Sequence, residues 1–115
     1  MTPEGKIQKK IISYLKDSGY FVTKLMQTST NGIPDVLAVS GHTTIFVEVK
    51  TETGKLSELQ KTIISDLRRK KQKVIVCFGY EDFVDKYSNL FLMRECDAYE
   101  YLDELLEQKQ QTDLF

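Results

Sequence analysis

Two acids and a lysine, Asp35, Glu48 and Lys50, stand out because the chain between them reads as a tight reversal. Residues 34–40 and 43–50 are rich in β-branched and aromatic side chains, and Gly41-His42 between them suits a two-residue hairpin turn. With that turn Ser40 faces Thr43, and Asp35 falls directly across from Glu48. Side chains two apart on a strand share a face, so Lys50 joins the acids while Val49 turns away. Opposed Cβ atoms stand about 4.5–5.5 Å apart. A symmetric four-residue loop keeps this register, and a one-residue bulge destroys it.

Two carboxylates about 5 Å apart at an effective dielectric near 20 repel by about 3 kcal/mol. Lys50 neutralises only one of them. The remaining charge favours a divalent cation held through oxygens, and magnesium, which takes one or two carboxylates and keeps several waters, suits such a set. A cation there activates water and steadies charge developing on a phosphate. Lys50 is placed to orient the attacking water or to stabilise the transition state. The competing reading is an exposed edge on which Asp35 caps a turn and Glu48 and Lys50 are merely solvated. Against it, Leu37, Val39 and Phe46 share the face of Asp35, while Val36, Ala38, Ile45, Val47 and Val49 fill the other. Strands apolar on both faces are usually central and covered.

The elements that must position these residues follow from periodicity. A helix is predicted over 3–17, with Pro3 in its first turn, Ile7, Ile11, Tyr14 and Leu15 at helical spacing, and Ser18-Gly19 at its end. A short strand over 20–25 and loop chemistry over 27–32 precede the hairpin. A polar loop over 51–55 leads to a second helix over 57–71, where Ser57 and Gln60 fit a capping box and Leu59, Ile63, Ile64 and Leu67 form the apolar stripe. An apolar strand over 73–78 then returns parallel to the sheet by a right-handed crossover. A short helix near 81–87 and a final one near 98–108 complete the chain. The expected architecture is α/β, a mixed β-sheet flanked by helices in the order α-β-β-β-α-β-α.

The segment Gly32-Ile33-Pro34-Asp35 followed by Glu48-Val49-Lys50 resembles the PD-(D/E)xK nuclease motif, and Thr53-Gly54-Lys55-Leu56-Ser57 through Gln60 resembles its continuation in the virus-type replication-repair nuclease (VRR-NUC) branch. Glu4, Gly19 and the strand over 73–78 also fit, so the likeness spans about residues 4 to 85. It implies a restriction-endonuclease-like core and a metal-dependent DNA endonuclease using Mg2+ or Mn2+. Asp35 and Glu48 would be metal ligands, the Val49 carbonyl a further ligand, and Lys50 catalytic. Stand-alone viral members of this kind are thought to act as homodimers on branched DNA such as four-way junctions, and a symmetric dimer supplies two sites for two strands. A phage-encoded enzyme working in the cytoplasm of a bacterial host, in replication, repair or recombination, is the corresponding setting. An archaeal-type junction resolvase, a restriction-type nicking nuclease, and a catalytically idle adaptor that binds DNA or a clamp are the rivals.

Supporting residues carry competing readings. Glu4 lies on the stripe of Ile7, Ile11 and Leu15, either as an active-site acid that binds metal directly or through water, or as a carboxylate favoured by the helix dipole. Gln60 is either the capping partner of Ser57 or a site residue near Lys50. Thr30, Asn31 and Gly32 offer main-chain N–H groups to a DNA backbone, or form a plain tight turn. Lys55, and Arg68 and Arg69 in the basic run through Lys73, are candidate phosphate contacts set against a solvated helix end. His42 at the turn tip lies far from the acids, and Cys77 reads as core.

Composition bounds the rest. A chain of 115 residues reads as one domain, here residues 1–110, able to fold without a metal or disulfide. Two cysteines with no neighbouring Cys or His exclude a disulfide scaffold and a zinc ribbon. No apolar run reaches the roughly 20 residues of a membrane span, and the first residues do not read as a secretory leader. The net charge of −1 hides an asymmetry. Residues 1–94 carry 15 Lys/Arg against 10 Asp/Glu, whereas residues 95–115 carry one Lys against seven acids. A basic body permits phosphate contacts. The tail, residues 111–115, resembles the short peptide by which bacterial replication proteins dock on the β sliding clamp, with Leu114 and Phe115 as apolar anchors and the Gln111 amide at the pocket rim. Packing of that tail on its own fold is the alternative.

Overall fold

The computed structural model describes residues 1–41 and 43–90. His42, Cys96, the helix expected near 98–108 and the tail residues Gln111, Leu114 and Phe115 lie outside the described residues.

The first helix, α1 (Pro3–Asp17), starts where Thr2 Oγ1 accepts from the Gly5 N–H at 3.0 Å and Pro3 occupies the first turn, which needs no donor. Ser18 and Gly19, the latter at φ +95, end it. Strands β1 (Phe21–Lys24), β2 (Val36–Ser40) and β3 (Thr43–Lys50) follow as an antiparallel series. Helix α2 (Glu58–Arg69) then crosses over to β4 (Lys73–Phe78), which pairs parallel to β3, and α3 (Tyr80–Leu90) follows at once. The sheet order is β1-β2-β3-β4. This is the mixed sheet with flanking helices that the sequence predicts.

The hairpin register is the predicted one: Ser40 pairs with Thr43, Ala38 with Ile45, and Val36 with Val47. Pairing of β2 begins at Val36 rather than at Pro34. Continued by two residues, the register sets Pro34 across from Val49, and a proline has no N–H to offer the ladder. The Val49 N–H donates instead to Asp35 Oδ2, at 2.8 Å.

One sheet face is sealed. Val36, Ala38, Ile45, Val47, Val49, Ile75 and Cys77 pack against Ile11 and Leu15 of α1 and Phe83 and Leu90 of α3, all essentially inaccessible to water. Burial accordingly pushes the Cys77 thiol up to about 12, as expected of a core cysteine. On the other face α2 covers only part of the sheet, with Leu56, Ile64, Val74, Val76 and Phe78 in a smaller core and Phe46 and Leu67 beside it. The expectation that both hairpin faces are covered therefore fails at the outer strands. Val39 is 37% exposed, and Phe21, its partner on β1, is 71% exposed. The helix that would have to cover them lies over β4. A crossover helix spans only the strands it connects, so this half of the Asp35 face stays open to solvent.

The free edge of β4 is closed by side chains. Gly79 N–H donates to Lys50 O, so the N–H and C=O groups of Val74, Val76 and Phe78 point away from β3. Val74 O accepts from Arg68 Nη2 at 3.0 Å, Val76 O accepts from Lys86 Nζ at 2.7 Å, and the Phe78 N–H donates to Asp82 Oδ2 at 2.8 Å. Lys86 and Asp82 also pair at 2.9 Å. An edge satisfied in this way is a poor template for another strand.

Candidate active site

The hairpin and α2 bring four of the sequence-predicted residues together. Glu48, in the middle of the sheet face under α2, is only 1% exposed. Its Oε1 accepts from Gln60 Nε2 at 3.0 Å and stands 4.0 Å from Lys50 Nζ. Its Oε2 is buried without a hydrogen-bond partner among the described residues. Asp35 lies beside it, half-buried, with Oδ2 tied to the Val49 N–H.

The electrostatics follow from this crowding. Burial, and then the neighbouring Asp35 charge, push the Glu48 carboxyl up to about 8, with Lys50 opposing and Glu4 adding to the rise. Burial also raises Asp35, against the Val49 N–H and Lys50, which hold it down. Glu4, half-buried in the first turn of α1, thus reaches the site as charge rather than through a hydrogen bond.

These values fix a pH dependence for the metal-free protein. The unfolded chain releases the Glu48 proton near 4.5, whereas the folded chain holds it to about 8. Between those limits the folded state binds the extra proton, so stability is greatest below the window and falls as pH rises through it. The loss is on the order of a few kcal/mol. Thermal melts in chelator should show a falling midpoint from pH 5 to 8, and Glu48→Gln should flatten the curve. A wild-type midpoint that holds level across this range would contradict the burial argument.

The donors fit a hard cation. Two adjacent carboxylates, one with an orphaned oxygen, are hard oxygen donors of the kind magnesium accepts with waters. Among the described residues no three His, Cys, Asp or Glu converge as a preformed cage.

Gly32 positions the loop that carries Asp35. At φ +84 it occupies the left-handed region, and a Cβ there would sit 2.9 Å from Leu59 Cγ and 3.3 Å from Ile63 Cγ1. Leu59, expected in the buried stripe of α2, is instead 48% exposed because it lies over this loop. Gly32→Ala should cost about 1–3 kcal/mol in urea unfolding, from backbone strain and overpacking. A cost below the scatter of the measurement would show that the loop is free to shift.

The outer candidates are dispersed. Thr30, Asn31, Lys55 and Arg69 are exposed. Arg68 departs from the reading of its run as a solvent-facing surface: it is 7% exposed and its guanidinium serves the β4 edge. The sequence also passed over Lys24, whose charge acts on Asp35 across the β1–β2 pair. Only the β1 register reveals that neighbour, because Leu25 N–H donates to Asp35 O.

A family model for the VRR-NUC domain matches residues 7–81. A solved structure described as a VRR_NUC domain is 30% identical to this chain, with a TM-score of 0.69, covering 77% of this chain and 97% of that one. No curated protein matches. The match takes in both hairpin strands and the capped helix that encloses Glu48, and it is long enough to show the family: the chain belongs to the VRR-NUC domain family, a nuclease domain of the PD-(D/E)xK type.

Proposed function

We propose that this nuclease domain is a metal-dependent endonuclease that hydrolyses phosphodiester bonds in branched DNA, phage-encoded and acting in replication, repair or recombination. The observation that carries the reading is the buried Glu48 beside Asp35, with one carboxylate oxygen left unsatisfied. Such a pair is costly unless a proton or a cation occupies it.

In this reading Asp35, Glu48 and the Val49 carbonyl hold Mg2+ or Mn2+, and Glu4 bears on the same site through its charge. When bound, the ion supplies Lewis-acid stabilisation of the phosphate and lowers the pKa of water. Gln60 holds Glu48 in place, and Lys50 directs its ammonium at the attacking water or the scissile phosphate. Thr30, Asn31, Gly32, Lys55 and Arg69 are the proposed contacts to the DNA backbone, and the open half of the Asp35 face is the side from which DNA arrives. Arg68 is retained only as a support for β4. A homodimer would set two such sites against two strands. The tail Gln111, Leu114 and Phe115 is proposed to dock on the β sliding clamp of a bacterial host. Equal recovery on purified clamp of the full chain and one lacking residues 111–115 would count against that docking.

The deciding experiment is a cleavage panel on labelled four-way junctions, flaps and plain duplex with Mg2+, Mn2+ or excess chelator. Expected is metal-dependent cutting that favours branched DNA. Nicking of plain duplex would shift the reading to a restriction-type enzyme. Tight binding without cleavage under either metal would favour the idle adaptor. Cutting that persists in chelator would falsify the metal assignment.

A further inference from the structure

Glu48 receives a hydrogen bond from a side chain whose other end is held by the start of α2. Ser57 caps that helix: its Oγ accepts from the Gln60 N–H at 3.1 Å, and its own N–H donates to Gln60 Oε1 at 2.9 Å. A backbone N–H can only donate, so the atom facing it is the amide oxygen and the NH2 end is turned away. That end, Nε2, donates to Glu48 Oε1 at 3.0 Å. The capping role and the site role of Gln60 are therefore not alternatives, because one amide has two ends.

We propose that Ser57 is a positioning residue for the nuclease site, locking the Gln60 amide in the orientation that donates to Glu48. The inference rests on the reading of Asp35 and Glu48 as the catalytic pair. With the amide locked, the hydrogen bond falls on Oε1 and Oε2 is left without one. Without the cap, the first turn of α2 frays, the amide rotates, and the Glu48 carboxylate loses the donor that sets its orientation. The sequence pattern that starts the helix thus also aims a catalytic group.

The test uses the isotope-labelled, metal-free full chain and reads solvent exchange of side-chain amides by NMR. In the wild type the Gln60 NH2 should exchange at least about tenfold more slowly than that of exposed Gln27. Ser57→Ala should speed exchange by about fivefold or more, and Ser57→Thr, which keeps a capping hydroxyl, should restore it to within about twofold. Unchanged exchange in Ser57→Ala, alongside a lowered thermal midpoint, would reduce Ser57 to an ordinary helix cap and overturn the proposal. In cleavage assays well below the melting range, Ser57→Ala should lower kcat about tenfold with KM for DNA unchanged, and Ser57→Thr should recover it. A wild-type kcat in Ser57→Ala would likewise overturn the proposal. If the wild type cuts no DNA at all, the nuclease reading fails, while the exchange measurement still decides whether Ser57 aims Gln60.

Discussion

Asp35→Asn and Glu48→Gln are each expected to lower metal-dependent cleavage by about a thousandfold or more, while the fold persists. Several kcal/mol of transition-state stabilisation are at stake, and each 1.36 kcal/mol is about tenfold in rate. Both substitutions remove a carboxylate charge and little else. In Asp35→Asn the new amide keeps an oxygen for the Val49 N–H, which Asp35 accepts at 2.8 Å. In Glu48→Gln the new amide keeps an oxygen for Gln60 Nε2, and its NH2 takes the position of the orphaned Oε2. The two effects should move in opposite directions. Activity collapses, yet metal-free Glu48→Gln should gain about 1–3 kcal/mol at pH 8, because a buried, repelled carboxylate has been made neutral. Cleavage kinetics beside urea unfolding in chelator read both. A Glu48→Gln protein that cuts at the wild-type rate, or unfolds more easily at pH 8, would remove Glu48 from the centre of the mechanism.

Lys50→Met is expected to separate metal binding from turnover. The lysine is largely covered, its Nζ lies 4.0 Å from Glu48 Oε1, and methionine preserves the aliphatic stem. Because its proposed role is to act on the reacting phosphate or water, loss of its positive charge should lower kcat by about 10²–10³. The same charge competes with a cation for the two carboxylates, so Mg2+ or Mn2+ should bind at least as tightly as in wild type when pH is above 8. Calorimetric metal titration and single-turnover cleavage, run on the same variant, give the two readouts. If kcat stays within about threefold of wild type, Lys50 is only a neighbour of the site. If metal binding is lost together with turnover, its role is to assemble the site rather than to act in it.

The proposed mechanism thus centres on a buried charge held in tension by its surroundings. Glu48 sits where strand burial and helix cover leave its second oxygen without a partner among the described residues, and Asp35 is brought beside it by a loop in which Gly32 takes a left-handed conformation. The open half of the same sheet face is the side from which the proposed DNA substrate would arrive. The opposite face, sealed by α1 and α3, supplies the rigidity.

Local chemistry was enough to read much of this from the residues alone. Pro3 after Thr2 starts α1, Gly41 turns the hairpin, and Ser57 with Gln60 starts α2, each by a bond spanning only a few residues. The alternation of Val36, Ala38, Ile45, Val47 and Val49 then left one register in which the core is buried, and that register sets Asp35 and Glu48 side by side. What tertiary structure alone decided is which helix lies over which part of the sheet. It exposes Val39 and Leu59, which the apolar pattern places inside, and it buries Arg68, which the charge pattern places outside. It sets Lys86 and Asp82, neighbours one turn apart on α3, against the edge of β4 and brings the charge of Lys24 to bear on Asp35. The reason is physical. Periodicity tells a side chain which face it occupies, but only the packing of distant segments determines whether that face meets a helix, another charge or water.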